Sequence, residues 1–573
     1  MNFFTDNKDL QFIFNTTDLT EVIRLFEDDF AQAALYDYAP ETEEDARENY
    51  RRTLAVGGDI AARIIAPLSE QLDTQESVVR EGKVVYSEPV KTVLKALFQA
   101  DLMGCTISRK YGGLNLPTFV FTILVEMVAQ ADAGIQNIFG LQGVSGIIET
   151  FADEALKEKY LPLFTQSNAT GAMALTEDEA GSDLQNIKLK AAPDENGTWR
   201  LTGVKRFITN GCGDVLLVLA RSEAGTTDGL GLSLFVCEKD DTIRIRRLEE
   251  KLGIHSSPTC EMSFDHTPAQ LVGERQRGLV TYVLALLNGA RLATAAQSIG
   301  IAQAAFSEAL AYARVRKQYG RKIEALAPVA EMLFNMKTAI EASRALNYDT
   351  ARIADLSMGT LKKLEKGGLD PAEKKKLRKN AKKFERLTML LTSLSKYYSS
   401  EMCNRVTSDA IQVIGGSGYM KDYPVEKYYR DARITNIYEG TSQLQVLSAF
   451  RGILSGTLEK YFEELSAVAY AKPQVPFEKR LVRARALLAK TVDRLNRSKN
   501  NQIKELHARK AVDMAADILI GYLLLIQALK SSRKLKLAKA FIREMEPRLK
   551  MNAAHTKKAV ASCLKDYSVI VED

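Results

Sequence analysis

The stretch QVIGGSGYMKDYPVEKYYRDARITNIYEGTSQLQ occupies residues 412–445. It places one carboxylate, Glu439, between a tyrosine and a glycine, shortly before an apolar run with helical spacing. Ser442 and Gln445 fit the Ser-x-x-Gln pattern that caps a helix N-terminus. A carboxylate just before a helix gains roughly 0.3–1 kcal/mol from the helix dipole. Taken alone, the pattern predicts a helix start, and a chemical role for Glu439 depends on the rest of the chain.

The chain has the composition of a soluble globular protein. Its 573 residues suffice for three or four domains, and 46% of them are hydrophobic and 26% charged. Six cysteines and four histidines are scattered without a CxxC pair, so we expect reduced thiols and no metal site. The N-terminus has no signal-like profile, and the most apolar run, at 518–529, is too short to span a bilayer. These features predict a cytoplasmic protein.

Positive charge is concentrated towards the C-terminus. The formal net charge is +6, yet residues 451–573 hold 25 Lys and Arg against 13 Asp and Glu, a local charge of +12. The insert LKKLEKGGLDPAEKKKLRKNAKKFER, residues 361–386, holds 11 against 4. Charge runs usually form solvated helix faces, although a basic surface also attracts anionic lipid, nucleic acid or an acidic protein. We expect an exposed helical hairpin at 361–386 and weak membrane-surface contact through the basic C-terminal helices.

Hydrophobic periodicity divides the chain into four parts. Residues 1–170 have helical spacing, and residues 171–277 contain short runs rich in Val, Ile, Leu and Phe that are separated by Gly and Asp turns. Helical spacing returns over 278–454 and continues in an extension over 455–573, after a joint near AKPQVPFEK. The predicted fold is therefore mainly α, with one small antiparallel β-domain in the middle.

Two helices are predicted in more detail. The stretch GARLATAAQSIGIAQAAFSEALAYARVRKQYG, residues 289–320, predicts a long helix that ends at Gly320. In the extension, RLVRARALLAKTVDRL places five apolar residues close to one side of a helix whose other face is basic. Those five residues are Leu481, Leu487, Leu488, Val492 and Leu495. Such a stripe packs against another apolar surface, and we expect that surface to be the helical core of the same subunit.

Four separated motifs, taken together, indicate a known family. They are MALTEDEAGSD at 173–183, RFITNG at 206–211, RVRKQYG at 314–320 and the stretch at 412–445 quoted above. In order and spacing they resemble the acyl-CoA dehydrogenase family of flavoproteins, over roughly residues 90–450. The stretch EKLGIHSSPTCEMSFDHTPAQLVGE and the long tail resemble an extended bacterial branch that includes methylmercaptopropionyl-CoA dehydrogenases. The resemblance implies an α-domain, a β-barrel or sandwich and a four-helix bundle, followed by the helical extension.

The resemblance implies removal of two hydrogens across Cα and Cβ of an acyl-CoA thioester. Glu439 would be the base that takes the α-proton, and flavin N5 would accept the β-hydride. The backbone N–H of Glu439 and a ribityl hydroxyl of FAD would polarise the thioester carbonyl. Gly440 would let the backbone pass close to the thioester because it has no Cβ. Against this background the catalytic interpretation of Glu439 outweighs simple helix capping.

The same resemblance implies a set of FAD-binding residues. Several have plain structural alternatives: Phe207 as ordinary β-core, Arg316 as a solvated helix end and the GGSG sequence as a flexible turn. In the family, the counterparts of Arg316 and Gln318 reach the pyrophosphate bound to the neighbouring subunit. The implied cofactor-binding residues are Met173, Leu175, Thr176, Gly181, Ser182, Phe207, Ile208, Thr209, Arg316, Gln318, Gln412, Gly415, Gly416, Thr441 and Gln443.

Five residues are implied in contact with the acyl-CoA. Arg291 matches a family arginine in the predicted helix start NGARL, and Asn288 stands where relatives often have Asp or Asn, although it fits a helix cap equally well. The implied substrate-binding residues are Ser182, Asn288, Arg291, Tyr438 and Gly440. The acyl group is left open, and so is a following decarboxylation.

Three functions compete for this chain. The first is an acyl-CoA dehydrogenase of fatty-acid β-oxidation that passes electrons to an electron-transferring flavoprotein. The second is an acyl-CoA oxidase that reoxidises its flavin with O₂. The third is a flavin-bearing DNA-protective protein, which the basic tail suggests but an intact Glu439 and Arg291 oppose. We expect the dehydrogenase, as a homodimer without a nucleic-acid partner, in which the extension covers its own subunit and is dispensable to the chemistry.

Overall fold

A computed structural model describes residues 1–557 and 562–572. Nine helices and one short hairpin precede the main sheet, and α6 is buried along nearly its whole length. The elements are α1 (Lys8–Thr16), α2 (Thr20–Phe26), α3 (Glu43–Ile60), α4 (Ser69–Thr74), β1 (Val78–Arg80), β2 (Lys83–Val85), α5 (Glu88–Gln99), α6 (Thr118–Ala131), α7 (Ala133–Gly140), α8 (Gly143–Phe151) and α9 (Glu154–Gln166).

The middle of the chain forms a sheet that closes on itself. Its strands are β3 (Gly171–Ala174), β4 (Lys190–Pro193), β5 (Trp199–Thr209), β6 (Val215–Arg221), β7 (Leu232–Glu238), β8 (Ile243–Leu248) and β9 (Thr259–Leu271). Strand β6 pairs with β4 and β7, and the path β4–β5–β9–β7 returns to β6. The predicted β-domain is confirmed, with one correction. Strands β3 and β4 run parallel to β6, because intervening segments and not tight turns connect them to it.

A helical bundle follows the sheet and supplies the centre of the molecule. Its elements are α10 (Leu284–Val315), β10 (Lys317–Gln318), β11 (Arg321–Lys322), α11 (Ala327–Lys366), α12 (Pro371–Ile414), α13 (Val425–Ala432) and α14 (Ser442–Leu454). Residues 278–315 form a helix long and apolar enough to cross a membrane, by length and composition alone. In this fold that helix packs against α6, α11 and α12. Its apolar character therefore has an explanation in the protein core.

The predicted end of α10 at Gly320 was wrong. The helix ends at Val315, and Arg316 is already extended. Strands β10 and β11 pair directly after it, and the turn between them holds Tyr319 and Gly320 at φ 51° and 75°. A two-residue hairpin turn favours positive φ at both positions. Gly320 therefore serves this turn and does not cap the helix.

The basic insert at 361–386 lengthens α11 and α12 beyond the body of the bundle. The two helices meet at a turn in which Gly367 and Gly368 have φ of 78° and 72°. Most of the insert's lysines are exposed, and the base is held by ion pairs such as Lys383 with Glu464. The predicted exposed helical hairpin is confirmed.

The C-terminal extension packs on the helical core of its own chain, as predicted. Its helices are α15 (Thr457–Ser466), α16 (Val475–Arg497), α17 (Asn501–Gln527), α18 (Ser532–Lys557), α19 (Ser562–Lys565) and α20 (Tyr567–Val571). Helix α17 is buried over much of its length and contacts α11, α12 and α14. Leu481, Leu488 and Leu495 of α16 are buried in the same core. The extension is therefore continuous with the bundle.

Truncation before residue 455 is expected to destabilise the bundle. It would expose the apolar faces of α11, α12 and α14 that α17 covers. Large exposed apolar surfaces drive association between protein chains. We expect aggregates or tetramers by light scattering, together with a lower melting temperature. A truncated chain that stayed a soluble, fully stable dimer would show that the extension covers nothing essential.

Candidate active site

Glu439 lies on a tight loop immediately before α14. Its backbone is left-handed, with φ of 54°, and the next residue, Gly440, has φ of 88°. A left-handed conformation is uncommon for a residue with a side chain, and such strain is concentrated at functional sites. The helix cap was predicted one residue too late. Thr441 is the N-cap, and its hydroxyl accepts from the Leu444 backbone N–H at 3.5 Å.

Two side chains hold the carbonyl groups of this loop. The Gln445 side-chain amide donates to the carbonyl oxygens of Glu439 and Gly440 at 2.9 and 3.1 Å. The Lys396 ammonium, on α12, donates to the Gly440 carbonyl at 2.7 Å. Gln445 is therefore occupied with the loop and does not close the capping box that its spacing suggested. Both contacts favour the backbone path that turns Glu439 towards α10 and α12.

Glu439 lies near two cations, the buried Lys396 and the half-buried Arg291. Burial raises the pKa of Glu439, while the nearby Lys396 ammonium and Arg291 guanidinium act to lower it. Burial also lowers the pKa of Lys396, to about 8, against the attraction of Glu439. Lys396 is 0% exposed, whereas Glu439 is half-buried. Within residues 1–557 and 562–572 the Glu439 carboxylate has no hydrogen bond or ion pair, so it is free to take a proton from a ligand.

Arg291 and Asn288 face this site from inside α10. The Arg291 guanidinium donates to the Asn288 side-chain oxygen at 3.1 Å, and the Thr392 hydroxyl of α12 donates to the same oxygen at 3.3 Å. Neither residue is at a helix start, because α10 begins at Leu284 and directly continues a π-helical segment at Gly278–Val283. The cap alternative for Asn288 was therefore wrong. The buried Nε of Arg291 has no partner in the described part of the chain and remains available to a ligand.

The Tyr438 side chain anchors the residue before Glu439 to the surrounding helices. Its hydroxyl hydrogen-bonds to the side chains of Gln297 on α10 and Asn137 on α7. Gln297 also donates to Asn137, at 2.9 Å. The Tyr438 hydroxyl is therefore already occupied within the protein. The network fixes the start of the loop against the N-terminal helices.

The first two predicted flavin motifs lie next to each other in the β-domain. The Arg206 backbone N–H donates to the Thr176 carbonyl at 3.0 Å, and the Arg206 guanidinium pairs with Asp178 at 2.7 Å. An irregularity in the pairing of β5 with β9 falls between Lys205 and Ile208. It leaves Phe207 with φ of 60° and 49% exposure. A bulge that turns an aromatic ring outwards provides an apolar face for a planar ligand.

The remaining residues of these two motifs divide by burial. Leu175 and Ile208 are buried in the β-domain core, so only their backbones can face a ligand, and Met173 is half-buried in β3. A second group is exposed or partly exposed, and its polar members make no side-chain hydrogen bond within the described ranges: Thr176, Gly181, Ser182 and Thr209. These residues offer hydroxyl groups beside the Phe207 ring.

A second exposed cluster forms where α10 and α12 end. The two helices run parallel, since Asn288 near the start of α10 lies beside Thr392 in the middle of α12, and Ala302 lies beside Cys403 further along both helices. Their C-terminal ends therefore carry the remaining predicted residues on one side of the bundle: Arg316, Gln318, Gln412, Gly415 and Gly416. Gly415 has φ of 73°, and open space surrounds both glycines. Within one chain, no contact joins this cluster to Glu439 among the residues described.

Thr441 and Gln443 start α14 on the other side of Glu439. Thr441 is partly exposed. Gln443 is exposed, and its side chain has no hydrogen-bond partner in the part of the chain that the structure covers. Among the residues that hold the loop, the sequence reasoning missed Lys396 and Gln297, and it took Gln445 for part of a helix cap. One signal was present for Lys396, because it is the single charged residue in the stretch LTMLLTSLSKYYSS. An isolated lysine in a buried helix needs a specific acceptor.

Comparison with known proteins agrees with this architecture. Family models of the acyl-CoA dehydrogenase N-terminal, middle and C-terminal domains match residues 40–168, 172–267, and 277–365 with 376–454. A further model, acyl-CoA dehydrogenase C terminal, matches residues 454–562. The gap at 366–375 coincides with the tip of the basic hairpin. The four models follow the same order as the helical, strand, bundle and extension segments.

Individual relatives lead to the same conclusion. An acyl-CoA dehydrogenase of Bacillus subtilis is 32% identical over 406 residues, which are 70% of this chain and 96% of the relative. The 3-methylmercaptopropionyl-CoA dehydrogenase of Ruegeria pomeroyi is 32% identical over 488 residues, 78% of this chain and 79% of that one. A Bacillus anthracis acyl-CoA dehydrogenase complexed with FAD shares the fold, with a TM-score of 0.77 and 23% identity over 91% of this chain and 89% of that chain.

The fold and the site define a flavin-dependent enzyme that acts on an acyl thioester. The chain belongs to the acyl-CoA dehydrogenase family, and it is an FAD-dependent acyl-CoA dehydrogenase. The residues present fit FAD. The outward-facing ring of Phe207 and the free hydroxyls of the same two motifs suit a flavin. The exposed Arg316, at the end of the bundle that also carries Gly415 and Gly416, suits a pyrophosphate.

Lys396→Met is expected to shift the pH dependence of flavin reduction by acyl-CoA. The loss of this cation raises the pKa of Glu439 further, so the base becomes protonated at higher pH and activity is lost earlier on acidification. We expect the acid limb of the pH–rate profile to move up by roughly one pH unit. Lys396→Arg should keep the wild-type limb, and Lys382→Met, an exposed change on the same helix, is the matched control. An unmoved limb in Lys396→Met would contradict the electrostatic role.

Proposed function

We propose that Glu439 is the base that removes the α-proton of the acyl-CoA. The observation that carries this proposal is the position of its carboxylate. It is half-buried, unpaired within the described ranges, and held on a left-handed loop between Lys396 and Arg291. Desolvation raises the proton affinity of a carboxylate, as a strong base requires. Lys396 and Arg291 act against the desolvation and lower the pKa in part.

The backbone N–H of Glu439 supports the second half of the proposal. It has no hydrogen-bond acceptor within residues 1–557 and 562–572, although the neighbouring carbonyls of Glu439 and Gly440 are both occupied. A free, fixed N–H of this kind can donate to the thioester carbonyl and stabilise the negative charge that develops when the α-proton leaves. Gly440, without a side chain, leaves the approach to that N–H open.

Bound FAD supplies the acceptor for the β-hydride. Thr176, Ser182 and Thr209 are the side chains that would bind it from the β-domain, with the Phe207 ring against its planar part. Thr441 and Gln443 would bind it from the start of α14. The buried, unpartnered Nε of Arg291 would face the acyl-CoA from α10. The product of these steps is the 2-enoyl-CoA.

We propose a cytoplasmic homodimer that passes its electrons to an electron-transferring flavoprotein. Large apolar side chains are exposed around the second cluster, with Tyr319 90%, Tyr419 80% and Met420 53% exposed. Exposed apolar side chains grouped in this way mark a protein interface. A partner subunit on this face would bring the FAD of that subunit to Arg316. Mixing the acyl-CoA-reduced enzyme with O₂ and then with an electron-transferring flavoprotein would distinguish the dehydrogenase from an oxidase.

Glu439→Gln tests the central assignment. Glutamine keeps the shape of the side chain but cannot take a proton, so FAD content and acyl-CoA binding should be retained. Anaerobic flavin reduction should fall by at least about 10³-fold, near the upper part of the usual contribution of a general base. Bleaching of the flavin absorbance with a panel of acyl-CoA thioesters measures the rate and identifies the preferred acyl group. Reduction at the wild-type rate in the variant would refute the proposal.

Arg316→Ala tests the second cluster. Loss of the guanidinium removes a charge-assisted pair with the pyrophosphate that contributes about 1.5–3 kcal/mol. Because this pair would cross the dimer interface, FAD loss and dimer dissociation should appear together in gel filtration with absorbance detection. Arg314→Ala, an exposed neighbour, is the control. An Arg316→Ala protein that purified fully yellow and dimeric would remove Arg316 from the site.

A further inference from the structure

Residues 437–441, which carry Glu439, are called the catalytic loop. The residues at both of its ends are held by one carboxylate, that of Glu401 on α12. Asn436, which precedes the loop, donates its side-chain amide to Glu401 Oε1 at 3.3 Å. Ser442, which follows the loop, donates its hydroxyl to the same oxygen at 2.6 Å. Residues 437–441 are thus bridged at their base, and Glu439 lies at the centre of the bridged segment. A bridge across both ends restricts the positions that the base can adopt.

The other oxygen of this carboxylate is held from the C-terminal extension. Arg509 of α17 donates to Glu401 Oε2 at 2.9 Å and lies over the ring of Tyr397 at 5.4 Å. The Tyr397 hydroxyl in turn donates to Asp513, also of α17, at 2.7 Å. Helix α17 therefore contacts the support of the catalytic loop through two adjacent side chains of α12.

We propose that the C-terminal extension helps to position the catalytic base, with Arg509 as a positioning residue that acts through Glu401 on the loop that carries Glu439. This inference rests on the proposed role of Glu439 and differs from the sequence-based expectation that the extension is dispensable to the chemistry. The Arg509 guanidinium contacts Glu401 and the Tyr397 ring. It neutralises and orients the carboxylate that joins the two ends of the loop.

The charges around Glu401 make its contacts with Asn436, Ser442 and Arg509 dependent on pH. Burial acts to raise the pKa of Glu401, but the Ser442 hydroxyl, the Arg509 guanidinium and the Asn436 amide lower it more. The other titratable groups near it are Lys396 and Tyr397 of α12 itself and Asp513 of α17. A carboxylate with a depressed pKa keeps its bonds above its ordinary pKa and loses them as pH falls. Without Arg509, Glu401 therefore becomes protonated, and the loop loosens, at a higher pH.

Arg509→Gln is the primary test, with two readouts. The pair is half-exposed and screened by solvent, so we expect a moderate effect: anaerobic flavin reduction about three- to tenfold slower near neutral pH, with an increasing deficit on acidification. FAD content and the concentration of acyl-CoA at half-saturation should stay unchanged. Amide hydrogen exchange of peptides covering residues 436–445 should increase by a similar factor, and this readout requires no turnover. Arg509→Lys keeps the charge and should restore most of the rate and its pH dependence.

Two further variants decide whether the effect passes through Glu401. Arg480→Gln removes the same charge from another ion pair of the extension, with Glu546, and should leave the rate and the loop exchange unchanged. In a Glu401→Gln background, Arg509→Gln should add almost nothing, because both changes break the same bridge. Independent, multiplicative effects, or wild-type exchange in the loop of Arg509→Gln, would overturn the proposal. If the wild type reduces no flavin with any acyl-CoA, the proposed function fails, while hydrogen exchange still tests the bridge.

Discussion

The hydrogen bond from Lys396 to the Gly440 carbonyl is the constraint on which the site depends. A fully buried ammonium group needs a partner, and among the residues described its acceptor is a carbonyl of the catalytic loop. The loop in turn needs a donor, because its left-handed backbone leaves carbonyls that no helix or strand satisfies. One hydrogen bond therefore satisfies both the buried Lys396 of α12 and the Gly440 carbonyl of the loop. This bond helps to fix the position of Glu439.

The same logic extends to the outer layers of the molecule. Lys534 of the extension pairs with the buried Glu341 of α11, and the buried Arg344 links α11 to Glu126 of α6. Removal of one member of a buried ion pair leaves an uncompensated charge and typically costs about 3–5 kcal/mol. The extension, the bundle and the N-terminal helices are therefore joined by charges as well as by apolar packing.

Patterns local in the chain predicted the four segments, and short motifs in the expected order indicated the family and Glu439. The features that could not be predicted from the sequence depend on contacts between residues that are distant in the chain. The parallel placement of β3 and β4 beside β6 follows from how the sheet closes, and Gly320 serves a turn because β10 and β11 pair. Lys396 lies 44 residues from Gly440, and no periodicity links two such positions. The structure shows where the individual motif residues lie, and their roles in binding and catalysis stay predictions.

Glu439 is subject to two opposing influences, and a base of this kind needs both. Burial raises the pKa of its carboxyl group and with it the proton affinity that a base needs. The two nearby cations act in the opposite direction and lower that pKa. Lys396 and Arg291 oppose the desolvation only in part, so the carboxylate keeps a raised pKa and remains available. An acyl chain that displaces the remaining water would then strengthen the base when its substrate is present.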